Sequence, residues 1–203
     1  MTKTLKTALR ARTVVTLQPF VLSVSCKGAI VPVNSWDSDH LDIPERHLKF
    51  SEAYLHSARV LCENLVRLPA SETFETGCAC LFNARLAVEL FLKAALLKKD
   101  PNIRLHHVIE ELRDEYNKHY PESEFFWDIP FTVEILGARS QEEKEVMHRE
   151  HLKSYPQDQV LRYPMNRQRE PWEAAAQFSA PAFLINLDTI EADFQRIRGV
   201  IFN

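Results

Sequence analysis

The sequence predicts a mainly α protein: an up-and-down bundle of four to five helices over residues 42–203, preceded by a basic extension over residues 1–41. Three observations lead there. The run Ala84-Arg-Leu-Ala-Val-Glu-Leu-Phe-Leu-Lys-Ala-Ala-Leu-Leu97 is apolar nearly all round a helical wheel, with Leu86, Leu90 and Leu97 on one side and Leu81, Val88, Phe91 and Leu92 on another, which marks a buried helix. Near the end of the chain, Phe183, Leu187, Ile190, Phe194, Ile197 and Ile201 recur at alternating spacings of four and three, a continuous apolar stripe. Helix boundaries are also written in the chain: Asp42-Ile-Pro-Glu45 combines a capping residue, a first-turn proline and a capping-box glutamate, while Pro69 and Asp100-Pro101 end helical runs.

Taken in order, the chain begins with Thr13–Leu17, Phe20–Ser25 and Ala29–Val33, short β-branched segments with Cys26-Lys-Gly28 as a turn. They read as two or three small edge strands, or as an extension without regular structure. The first helix runs from Asp42 to about Leu68, with Leu48, Tyr54, Val60, Leu61 and Leu65 inward. Ser71 and Glu72 start the central helix, which spans about Phe74 to Lys99. A third helix covers about Leu105 to Asn117. Residues 120–136, rich in aromatic and β-branched types, read as a loop that packs on the bundle and ends in a short extended piece. Ser140 to His151 is a charged surface helix, Ser154 to Trp172 a proline-bearing non-helical stretch, and the apolar stripe defines the last helix.

Composition narrows the chemistry. Only four glycines are present and none are clustered, which excludes the P-loop and the dinucleotide fingerprint. The four cysteines read as free thiols in a reducing cytosol; Cys78 and Cys80, two apart on one helix, point to different faces and cannot share a metal. The net charge of −3 is uneven: residues 1–36 hold Lys3, Lys6, Arg10, Arg12 and Lys27 and no acid, which leaves −8 on the remainder. A basic arm on an acidic body suits nucleic acid or an acidic partner face. Gln18-Pro19 breaks the apolar run Val14–Val24, and no clean cleavage site precedes Cys26, which argues against a secretory signal. No run approaches the ~20 apolar residues of a membrane span, so the expected location is cytoplasmic.

From Arg85 to Leu97 the sequence resembles the HEPN family, whose central helix often carries an Ala-Val-Glu-Leu-x-Leu-Lys-Ala type run. His106-His107-Val-Ile-Glu-Glu-Leu112 resembles the start of the helix that follows in many members, and Leu161-Arg-Tyr-Pro164 a segment before the last helix of some branches. The resemblance covers about residues 45–203. It implies a helical bundle, usually dimeric, of the kind found in bacterial defence and toxin–antitoxin modules, where many members are metal-independent ribonucleases. Those use an Arg and a His with four to six residues between them, late in the chain: His moves a proton and Arg steadies charge on the phosphate. This chain departs from that pattern, because its last histidine is His151 and nothing after Arg162 can complete the pair. The one pair of suitable spacing, Arg113 and His119, falls in the third helix.

Two further constellations invite a ligand. Arg162, Tyr163, Arg167, Arg169 and Trp172 interleave cations with rings, which suits a phosphate-plus-base ligand; the plainer reading is a surface loop pinned by Tyr163 and Trp172. The line Arg85, Glu89 and Lys93, spaced four apart so that Glu89 can meet both cations, is either an ion-pair seam holding helices in register or the lining of an interhelical pocket. His148 and His151 share a helix face near Glu145, but the spacing is not that of a zincin, and they read as a solvated face; no metal and no cofactor are expected. The expected function is a HEPN-like binding or regulatory protein, a homodimer engaging RNA, a nucleotide, or an antitoxin or nucleotidyltransferase partner. The alternatives are a metal-independent ribonuclease using Arg113 and His119, and a structural interaction bundle.

Overall fold

A computed structural model describes residues 40–133, 137–172 and 178–203. The N-terminal segments predicted as strands, and the end of the predicted extended piece, lie outside those residues. The described body is all helix and loop: α1 (Ile43–Arg67), α2 (Phe74–Lys99), α3 (Ile109–His119), α4 (Gln141–Ser154), the single turn α5 (Gln157–Val160) and α6 (Ala180–Ile201), with 3-10 turns at Pro69–Ser71 and Ser123–Phe125. The mainly α bundle is as predicted, apart from one turn of helix, α5, inside the stretch expected to be non-helical. None of the described helices is long and apolar enough to cross a membrane.

The helix starts follow local chemistry. Asp42 accepts from the Glu45 amide at 2.8 Å while Glu45 accepts from the Asp42 amide at 3.3 Å, a complete capping box. α2 spans Phe74–Lys99 as predicted, but its cap is not Ser71 or Glu72. Thr73 is its cap and pairs reciprocally with Thr76, whose hydroxyl also donates to the Ser71 carbonyl at 2.9 Å. α3 begins at Ile109 rather than near Leu105, and the His107 carbonyl ahead of it accepts from Arg85 at 3.0 Å instead of from a helical amide. α6 has no capping side chain of its own; Glu72, 108 residues earlier, accepts from the Ala180 amide at 3.3 Å and places a carboxylate at the positive end of the helix.

α2 is the centre of the bundle. α1 packs along it most extensively, α6 lies on both, and α3 closes a further side. The α1 face that meets it is Leu48, Ser51, Leu55, Ala58, Cys62 and Leu65, so Val60, expected inward, is instead exposed. Small residues on both sides explain the close approach: Ser51, Ala58 and Cys62 on α1, and Cys80, Ala84 and Ala87 on α2. Ser51 donates to the Ala87 carbonyl at 2.7 Å and the Cys80 thiol to the Ala58 carbonyl at 3.4 Å. The α6 stripe is buried as predicted from Phe183 to Ile197, with Phe194 stacked on Phe91 at 4.0 Å and Trp127 edge-on to both rings. The 120–133 loop therefore does pack on the bundle, tied by Tyr116 Oη to the Phe125 carbonyl and Tyr120 Oη to the Ala95 carbonyl. One side of α2 is less covered than its wheel suggests: Phe82, Leu86 and Leu90, spaced four apart, are only half-buried.

Candidate functional site

Arg85, Glu89 and Lys93 form one buried network, with 4%, 3% and 6% of their surface exposed. Arg85 Nη1 reaches Glu89 Oε2 at 3.2 Å and Lys93 Nζ reaches Oε1 at 2.6 Å. The sequence spacing predicts this much. It does not predict the fourth member, His107, whose Nδ1 lies 2.9 Å from Glu89 Oε1 while its side chain is 82% exposed. A carboxylate oxygen only accepts, so Nδ1 carries the hydrogen, and the 3.4 Å approach of Lys93 Nζ to Nδ1 sets two donors side by side without a bond between them. Arg85 Nη2 completes the strap by donating to the His107 carbonyl at 3.0 Å. Two cations share one carboxylate, so the buried part of the seam is a net positive centre, and Arg85 Nε has no hydrogen-bond partner among the described residues. The arrangement ties the entry of α3 to the central helix.

Beyond the strap, α3 carries buried Glu110, which accepts from the Val133 amide at 3.0 Å and faces His148 Nε2 of α4 at 3.8 Å. His148 is thus turned toward α3, while His151 packs on Tyr155 at 5.4 Å. Among the described residues, no group of three or more His, Cys, Asp or Glu could hold a metal ion. Cys62, Cys78 and Cys80 are free. Burial pushes all three thiols up, Cys80 to about 12, which keeps them protonated and unreactive.

Arg113 and His119 both lie on α3 but do not converge. Six residues of helix separate them by about 120° around the axis and about 9 Å along it. Arg113 Nη2 lies 2.9 Å from Asp114 Oδ1, and His119 Nε2 lies 4.0 Å from Glu115. The Glu115 carboxyl is held below its usual range by the hydrogen bond from Lys118.

The C-terminal loop is more ordered than its proline content suggests. Met165 and Pro171 form an antiparallel bridge, and Asn166 Oδ1 accepts from the Gln168 and Glu170 amides, both at 2.9 Å. Arg169, at the tip of this turn, has the left-handed φ of 67°. The five residues singled out in the sequence separate. Arg167 and Trp172 come together with Lys153 of α4 around a cavity of about 420 Å³, completed by the amides of Gln159, Asn166 and Gln168. Arg162 turns the other way and lies 5.4 Å over the Phe82 ring, with Tyr163 5.3 Å from the same guanidinium. Neither Lys153 nor Arg167 makes an ion pair among the described residues. The Trp172 indole N–H is buried and has no hydrogen-bond partner among them. Sequence reasoning missed Lys153 because the residue reads only as the charged end of a surface helix.

Compared with protein-family models, with curated proteins and with solved structures, the chain has no match in any of the three.

Proposed function

We propose that this chain is a HEPN-like binding protein whose ligand carries both phosphate and base: RNA, or a nucleotide. The observation that carries this reading is the cavity beside α4, where Lys153 and Arg167 face the same space as Trp172 and the side-chain amides of Gln159 and Gln168. Unspent cations attract phosphate oxygens, an indole offers a face for stacking, and amides read base edges. A volume of about 420 Å³ lies within the range of ordinary ligand sites. In this reading the protein works as a homodimer in the cytoplasm, within a bacterial defence or toxin–antitoxin module, and meets an antitoxin or nucleotidyltransferase partner there. A neighbouring gene for such a partner would support that context. The buried seam keeps the bundle in register, and no step of phosphodiester cleavage is assigned to Arg113 and His119, which do not converge within one chain.

The test is binding of a short single-stranded RNA followed by Trp fluorescence across a salt series. Binding that weakens steeply with salt is expected. Lys153→Ala with Arg167→Ala should make the slope of log K against log salt shallower by about 1.4, at about 0.7 per single-strand phosphate contact. Salt-independent binding, no binding at low salt, or a slope unmoved by the two substitutions would overturn the assignment and favour a structural interaction bundle. The same RNA incubated with the protein in EDTA is expected to stay intact; cleavage abolished by His119→Ala would establish the ribonuclease instead.

A further inference from the structure

A second cavity, remote in chemistry from the first, lies between α6 and the turn around residues 128–131. Its volume is about 560 Å³. Three rings line it: Phe131, Phe178 and Phe183, with Phe183 5.7 Å from Phe178 and 6.4 Å from Phe131, both pairs inclined. Two carboxylates, Asp128 and Asp193, stand among the same lining residues, together with Asn186. No lysine, arginine or histidine is among the described residues that line it.

The charges there are only partly answered. Asp193 meets Arg196 at 2.8 Å, but that guanidinium also donates to the Glu124 and Phe126 carbonyls and is committed to the neighbouring loop. Asp128 is exposed and makes no ion pair among the described residues. Phe131 sits at φ 65°, in the left-handed region that bulky side chains avoid. Its ring nonetheless faces the cavity wall formed by Phe183.

From these features we infer that the cavity binds a small organic cation, an ammonium group carried on an apolar body. Aromatic faces attract cations through their quadrupole, and this attraction grows as water is excluded. The carboxylates supply the opposite charge, and the apolar walls take the body of the ligand. The two cavities select opposite charges and share no residue, so this inference stands or falls independently of the RNA reading.

The probe is benzyltrimethylammonium, titrated into the full chain by calorimetry, with its uncharged carbon analogue neopentylbenzene as control. The cation should bind, and the neutral analogue at least tenfold more weakly. Asp128→Asn, at an exposed position, should weaken the cation about tenfold with no change in the melting temperature of the unliganded protein. Phe183 belongs to the core, so its removal is not used; Ala182→Trp, at an exposed lining position, should fill the space and abolish binding. No heat with the cation at millimolar concentration, equal affinity for the neutral analogue, or indifference to both substitutions would each overturn the inference.

Discussion

Glu89→Ala isolates the energetics of the seam. The wild-type carboxylate is 3% exposed and receives Arg85, Lys93 and His107. Removing it leaves two buried cations facing each other with nothing between them. Breaking a buried pair in this way costs about 3–5 kcal/mol, because the remaining charge is desolvated and unpaired. For a chain of this size, 1 kcal/mol lowers the melting temperature by about 2–4 °C, so a loss of about 6–20 °C is expected. Reversible urea unfolding with calorimetry measures it. The control is His107→Ala, which removes a mostly exposed ring and should cost under about 1 kcal/mol. A second arm replaces all three members at once, Arg85→Met, Glu89→Leu and Lys93→Met, and should recover most of the loss, since apolar replacement of a whole buried network is often neutral or better. If Glu89→Ala costs under about 1 kcal/mol, water reaches the seam and the buried-charge argument fails.

Three further outcomes follow from named contacts. Gly77→Ala would place a Cβ 3.0 Å from the Phe178 ring, so overpacking of about 1–3 kcal/mol should outweigh the gain of about 1 kcal/mol in helix propensity; a raised melting temperature would show that the ring yields freely. Arg169→Val forces a β-branched residue to φ 67° and should cost about 1–2 kcal/mol with a change in Trp172 emission, whereas Arg169→Gly should leave both nearly unchanged. Burial raises the Tyr116 and Tyr120 hydroxyls, Tyr120 to about 12, against an ordinary value of 10.0. The folded state therefore holds these protons more tightly than the unfolded chain does. The associated stability is fully present below pH about 10 and is lost as pH rises toward 12, and denaturant titrations over that window should show a decline that Tyr116→Phe reduces.

Much of the bundle is legible from the chain because its determinants are local. A capping box needs residues three apart, so Asp42 and Glu45 announce α1 without any knowledge of what it packs against. The α6 stripe and the Arg85–Glu89–Lys93 line follow from helical periodicity in the same way, and both are buried in the fold. The first helix shows where this stops. Its large residues suggested Val60 as inward, but close packing on α2 selects the small ones, Ser51, Ala58 and Cys62, and a wheel weighted by side-chain size cannot foresee a backbone approach.

What the sequence determined by itself is therefore a set of helices, their ends and their apolar faces, each a consequence of contacts within a few residues. The tertiary structure alone decided which distant groups meet. It brought His107 to Glu89 across 18 residues, set Glu72 at the start of α6, split the five loop residues between the Phe82 ring and the Lys153 cavity, and set Asp128 at a cavity lined by three phenylalanines. The reason is physical: such meetings depend on the direction in which each helix packs, and that direction comes from burying apolar surface over the whole bundle rather than from any short stretch of chain.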